Sequence, residues 1–169
     1  MRYVLDTNIL SPFRKKKRPP SLTRWVAAIG WQDLATTVVT IAEIQCGAER
    51  ARKNGAVDVA ADIDGWLDQM LADGGLQILP MGIHAARLLG KMYETPSLRD
   101  FTVADPQAKN AATGADLAVA AIAIAEGGVV VTDNVAHFVR IHNEFQLPGL
   151  FNPLDGEWHV RPLDNLTLS

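Results

Sequence analysis

The chain has 169 residues, 48% of them hydrophobic and 21% charged, which suits one domain with a real core and excludes a disordered or collagen-like polymer. A single cysteine, Cys46, excludes an intrachain disulfide and a zinc site made of cysteines alone. The net charge of −3 averages two regions: one run holds five cations, Arg14-Lys15-Lys16-Lys17-Arg18, and the rest of the chain sets 11 Lys and Arg against 19 Asp and Glu.

The first apolar run ends at once at Asp6, so no signal peptide is expected. The longest, Leu117 to Ala125, is about half of what crosses a bilayer. Together these predict a cytoplasmic protein with no membrane segment. Arg2 to Leu5 reads as a strand ended by Asp6, with Thr7 and Asn8 favouring a cap or turn. Ile9 to Phe13 fits one helical turn, and Pro19-Pro20 closes the basic run. Ser21 is the expected N-cap of a helix carrying Leu22, Trp25, Val26 and Ile29. Leu34 to Val38 reads as a second strand, and Thr37 as the N-cap of a helix running to Lys53. Another helix spans Val57 to Ala72, with Val59, Ile63, Trp66, Leu67 and Met70 on its apolar side. Leu76 to Leu79 is a third strand and Ile83 to Tyr93 a helix. Thr95 to Thr113 has no period, and a loop of that length suits a functional or mobile element. Asp116 to Glu126 is a helix stopped by Gly127-Gly128; Val129-Val130-Val131 suits a buried parallel strand. A helix with Ala136, Phe138 and Val139 follows, then a short strand at Leu150-Phe151. Leu154 to Ser169 is polar and aperiodic and is expected to be a poorly ordered tail. Strands alternate with helices throughout, which predicts an α/β domain with a mainly parallel sheet and helices on both faces.

Sites in such sheets form at the carboxyl ends of strands. Asp6 and Asp133 follow strands directly, and Asp116 opens the helix that feeds the Val129–Val131 strand. Glu43 lies within the helix after the second strand, among Val39, Thr40, Cys46 and Gly47. Alone, each acid reads as readily as a cap, a turn residue or a half-buried surface group. Gathered, they repel one another unless a cation offsets the charge. An oxygen-only donor set without His or Cys suits Mg²⁺, or Mn²⁺, rather than zinc. Such metals polarise phosphates and lower the pKa of bound water. His137 and His142 read as surface or packing residues, and Cys46 as a small buried hydrophobe. The basic run is a candidate contact for RNA phosphates; a solvated loop is the competing reading.

Four segments carry a resemblance. Tyr3-Val4-Leu5-Asp6-Thr7-Asn8 resembles the first motif of PIN-domain nucleases. Thr40 to Gly47 resembles the second, Asp116 to Ala123 the third, and Val129 to Phe138 the fourth. Their order and spacing fit over residues 1 to 153, and the chain looks most like VapC/FitB-type toxins of bacterial toxin–antitoxin systems. The resemblance implies a three-layer α/β/α PIN domain over 1–153, with 154–169 as a C-terminal tail. It implies a Mg²⁺-dependent endoribonuclease hydrolysing RNA phosphodiesters. Asp6 and Asp116 match the family's metal ligands, and Glu43 its third acid. Aligned on Thr132, the usual Asp or Asn falls at Asn134, while Asp133 falls where many members have Arg; either completes the site. Thr7, Asn8, Thr132 and Asn134 match supporting hydrogen-bond partners. It further implies a homodimer and a cognate antitoxin, of ribbon–helix–helix or similar type, through which alone DNA is bound. The alternative function is a catalytically weak PIN-fold module acting as an antitoxin-bound corepressor. A haloacid-type phosphatase fits poorly, because that family needs Asp two residues after Asp6, where Asn8 stands.

Overall fold

Six short strands form one sheet in the order β3-β2-β1-β4-β5-β6. They are β1 (Tyr3–Leu5), β2 (Leu34–Thr37), β3 (Gln77–Leu79), β4 (Val129–Val131), β5 (Leu150–Asn152) and β6 (Glu157–Val160). All neighbours run parallel except β5 and β6, which are antiparallel. This computed structural model describes residues 1–102 and 114–162.

Side chains alternate across the sheet with the two-residue period of a strand. Val4 and Val130 face one core; Leu5, Val129 and Val131 face the other. The first core is closed by α5 (Ile83–Tyr93), α6 (Ala115–Glu126) and α7 (Val135–Glu144). The second is closed by α1 (Thr7–Leu10), α2 (Pro20–Ile29) and α4 (Val57–Asp73). Between them α3 (Val38–Lys53) contributes Ile44 to the second core and packs along both α4 and α6. The helix α6 is buried at every position from Leu117 to Ala123, and its many alanines let it lie close to the sheet. Just after α6 the chain passes close to β1 at Gly128, where an added Cβ would stand 2.6 Å from Val4 Cγ2. The sheet is thus covered by helices on both faces, the three-layer arrangement expected.

The chain runs outward from β1 to β2 and β3, then returns to place β4 on the other side of β1. Strand order reverses there, and the carboxyl ends of β1 and β4 flank a crevice. The Asp6 N–H donates to Val131 O at 3.0 Å across it.

Local start signals mostly hold. Thr37 caps α3, its Oγ1 accepting from Thr40 N at 3.1 Å. Ser21 does not cap α2: the helix begins at Pro20, whose fixed φ suits a first helical position. Two aperiodic stretches hold structure. Pro96–Phe101 forms a 3₁₀ helix, and the rest of the predicted 95–113 loop beyond residue 102 and before 114 lies outside the described residues. Within the predicted tail, Glu157–Val160 adds an edge strand and leaves only 163–169 undescribed. Its residues alternate between exposed and half-buried, so a four-residue edge carries little hydrophobic signal. Among the described residues no helix is long and apolar enough to cross a membrane.

Candidate metal centre at the ends of β1 and β4

Asp6 leaves β1 and caps α1. Its Oδ1 accepts from Thr7 N at 2.7 Å, and its Oδ2 from Thr132 Oγ1 at 2.7 Å. Only 4% of the residue is exposed. Burial pushes its carboxyl from an ordinary 3.8 up to about 6; the Asp116 and Glu43 carboxylates push the same way, and the Thr132 and Thr7 hydrogen bonds resist.

Glu43 sits in the second turn of α3, half-buried. Thr7 Oγ1 donates to its Oε2 at 2.6 Å. Burial raises its pKa, the Thr7 bond lowers it, Asp116 raises it and Arg50 lowers it, with a net rise. Asp116 lies in the first turn of α6. Its Oδ2 receives Asn134 Nδ2 at 3.0 Å and His137 Nδ1 at 2.7 Å.

Thr132 joins these parts. Its hydroxyl donates to Asp6 and accepts from Asn8 Nδ2 at 3.1 Å and Asn134 N at 2.9 Å. Asn8 Oδ1 in turn accepts from Asp133 N at 3.1 Å. The structure therefore gathers Asp6, Glu43, Asp116, Thr7, Asn8, Thr132 and Asn134. Of the two residues for the fourth position, Asn134 reaches Asp116 with its side chain. Asp133 meets the cluster through its backbone N–H and is itself exposed.

His137, which the sequence reads as a surface or packing residue, is half-exposed and packs on Phe101, and it also meets Asp116. One signal was available: His137 lies three residues after Asn134, so the two share a helix face. Cys46 is also corrected. It is exposed, because Ile44 and Ala48 occupy the buried face of α3. It lines a cleft of about 540 Å³ that runs from Thr7 and Glu43 past Arg14, Arg50 and Trp66.

The basic run divides. Arg14 pairs with Asp62 of α4, and Arg18 lies over the Phe13 ring at 5.3 Å. Lys15, Lys16 and Lys17 are exposed.

The donors offered by Asp6, Glu43 and Asp116 are all hard oxygens. None of the neighbours that shift Asp6 is a cation. A divalent cation of the Mg²⁺ or Mn²⁺ type fits this set, supplying the missing positive charge. A separate exposed group, Asp155, Glu157 and His159, has ligand atoms within 4.8 Å of one another on the β5–β6 hairpin. It is a group apart from Asp6, Glu43 and Asp116, two strands along the sheet from β1.

Comparison with known proteins agrees with the fold. The PIN domain family model matches residues 3–142. VapBC2 from Rickettsia felis, solved bound to a promoter DNA fragment, is 25% identical, with 90% of this chain and 98% of that chain covered and a TM-score of 0.63. FitAcB from Neisseria gonorrhoeae is 20% identical over 89% and 97% of the two chains, with a TM-score of 0.62. DNA-bound VapBC from Salmonella typhimurium is 23% identical over 90% and 98%, with a TM-score of 0.60. No curated protein matches the sequence significantly.

Proposed function

The chain belongs to the PIN-domain family, and on that premise we propose that it is a Mg²⁺-dependent endoribonuclease of the VapC/FitB toxin type, silenced by a cognate antitoxin. The observation that carries the reading is the buried Asp6, its carboxyl raised to about 6, facing Glu43 and Asp116 at the strand-order reversal. Such a site is unfavourable without a cation and favourable with one.

Asp6 and Asp116 hold the metal in this proposal, and Glu43, fixed by Thr7, holds a metal-bound water or the attacking water. The metal, when bound, neutralises charge on the phosphate and acidifies water. Thr132 keeps the Asp6 carboxylate oriented, and Asn134 does the same for Asp116. The cleft beside Glu43 admits an RNA strand, with Lys15 to Lys17 as candidate phosphate contacts. The domain is taken as residues 1–153, with 154–169 as a C-terminal extension that lends the edge strand β6 to its sheet.

Partner and assembly are proposed from the VapBC and FitAcB neighbours: a basic antitoxin segment over the acidic site, a toxin homodimer, and DNA contact through the antitoxin alone, in the cytoplasm. Charge complementarity supports such a partner. The test is cleavage of RNA by the purified chain with Mg²⁺, beside Asp6→Asn and Asp116→Asn. Loss in both variants is expected, and equal cleavage by all three overturns the assignment. The corepressor reading draws on Asn134, an amide where a fourth carboxylate often stands. A wild-type chain that binds no Mg²⁺ and cleaves no RNA would favour it.

A further inference from the structure

We propose that His137 is a positioning residue for Asp116, held in place by a clamp between α7 and the Pro96–Phe101 3₁₀ helix. This rests on the reading of Asp116 as a metal ligand. The imidazole Nδ1 stands 2.7 Å from Asp116 Oδ2. Asn134 Nδ2 also stands 2.8 Å from this Nδ1. Nδ1 accepts from that amide in one tautomer and donates to Asp116 in the other; a carboxylate oxygen only accepts, so the proposed contact takes the tautomer with the proton on Nδ1. Asn134 donates to the same oxygen at 3.0 Å. Two donors converging on one oxygen fix the rotation of the carboxylate, which a single donor leaves free to swing.

The ring itself is held from the other side. Phe101 meets His137 edge to face, with centroids 5.1 Å apart. Arg140 lies over the same Phe101 ring at 4.9 Å. Its guanidinium bonds both oxygens of Asp100, at 2.7 and 2.8 Å, and Ser97 O at 2.8 Å. Arg140 and His137 lie three residues apart on α7, so one helix face carries both the clamp and the residue it steadies. Phe101 is buried while His137 is 49% exposed. The half-exposed imidazole is thus seated on a fixed buried ring. Outer partners that orient metal-binding carboxylates and histidines are worth about 10–100-fold in metal affinity.

The test measures Mn²⁺ binding to the full chain by titration calorimetry, with no RNA present. His137→Phe keeps an aromatic ring for Phe101 but removes the donor. His137→Asn places an amide nitrogen where Nδ1 stands, whereas His137→Gln places it one bond farther out. Mn²⁺ affinity is expected to fall about tenfold or more in His137→Phe and His137→Gln and to stay within about threefold of wild type in His137→Asn. Wild-type affinity in His137→Phe overturns the proposal, as does a loss in His137→Asn equal to that in His137→Phe. His137→Ala replaces His137→Phe in the comparison if the larger ring prevents folding. Asp6→Asn and Asp116→Asn serve as controls. If they lose Mn²⁺ while His137→Phe keeps it, only the role of His137 falls. If they too bind Mn²⁺ like wild type, the metal-site reading falls first and takes this one with it.

Discussion

Asp6→Asn is expected to make the metal-free protein more stable at neutral pH while abolishing its response to metal. The folded protein holds the Asp6 proton up to about 6, against an ordinary 3.8. Between those values the folded state binds more protons than the unfolded chain, so stability falls as pH rises across that window. Above about pH 6 the ionised, buried Asp6 costs on the order of 3 kcal/mol. Asparagine removes that charge but exchanges one acceptor oxygen for a donor, losing about 1 kcal/mol of hydrogen bonding to Thr132 or Thr7. A net gain of about 2 kcal/mol follows, or a Tm increase of about 4–8 °C for a domain of this size. Thermal unfolding followed by circular dichroism, with EDTA present, measures it at pH 7.5 and pH 4. The gain should be present at pH 7.5 and absent at pH 4, where native Asp6 is already protonated. Added Mg²⁺ should raise the Tm of wild type and leave the variant unmoved. A variant less stable than wild type by the same amount at both pH values would refute the account of Asp6 as a buried, uncompensated charge.

Further expectations concern the supporting residues and the frame. Thr132→Val strips Asp6 Oδ2 of its donor and Asn8 Nδ2 of its acceptor; urea unfolding should show a loss of about 2–3 kcal/mol, largely restored by Thr132→Ser. Gly128→Ala drives a methyl onto Val4 and should cost about 1–3 kcal/mol. Gly65→Ala on α4, with nothing within 4 Å of its added carbon, should instead stabilise by about 0.5–1 kcal/mol. Replacing Lys15, Lys16 and Lys17 together by Ala should flatten the slope of log RNA affinity against log salt by about 2, if all three meet phosphates. An unchanged slope would mean that the run is a solvated loop.

Much of this site was legible because it depends on local chemistry. Asp6 ends an apolar strand and Asp116 opens a helix with an apolar face, so topology alone brings them to one edge of a parallel sheet. Thr132 was picked out by the resemblance of Val129 to Phe138 to the fourth PIN motif; its burial is a finding of the structure. His137 was less legible, since its exposure and its place beside Asn134 fit a surface residue equally well. Only the approach of α6 to α7 decides that its ring meets Asp116. Cys46 misled for the opposite reason: a small residue on a helix with apolar neighbours reads as buried, but α3 turns that face to a cleft. The edge strand Glu157–Val160 was invisible because half of its residues face water and its partner β5 supplies the order.

The sequence by itself determined the alternation of strands and helices, the mainly parallel sheet, and the acids that stand at strand ends or on inward helix faces. These follow from periods of two and 3.6 residues and from cap chemistry, which act over a few neighbouring positions. The tertiary structure alone decided that Asn134 rather than Asp133 turns its side chain to Asp116, that His137 meets the same carboxylate, and how far the Asp6 carboxyl is raised. Those properties depend on burial and on groups contributed from more than 100 residues away, such as the Thr132 hydroxyl and the Asp116 charge beside Asp6. Net charge was least informative of all. The figure of −3 averages an acidic body that includes the metal-site acids and one basic loop, and electrostatic energy depends on where charges stand and how deeply they are buried.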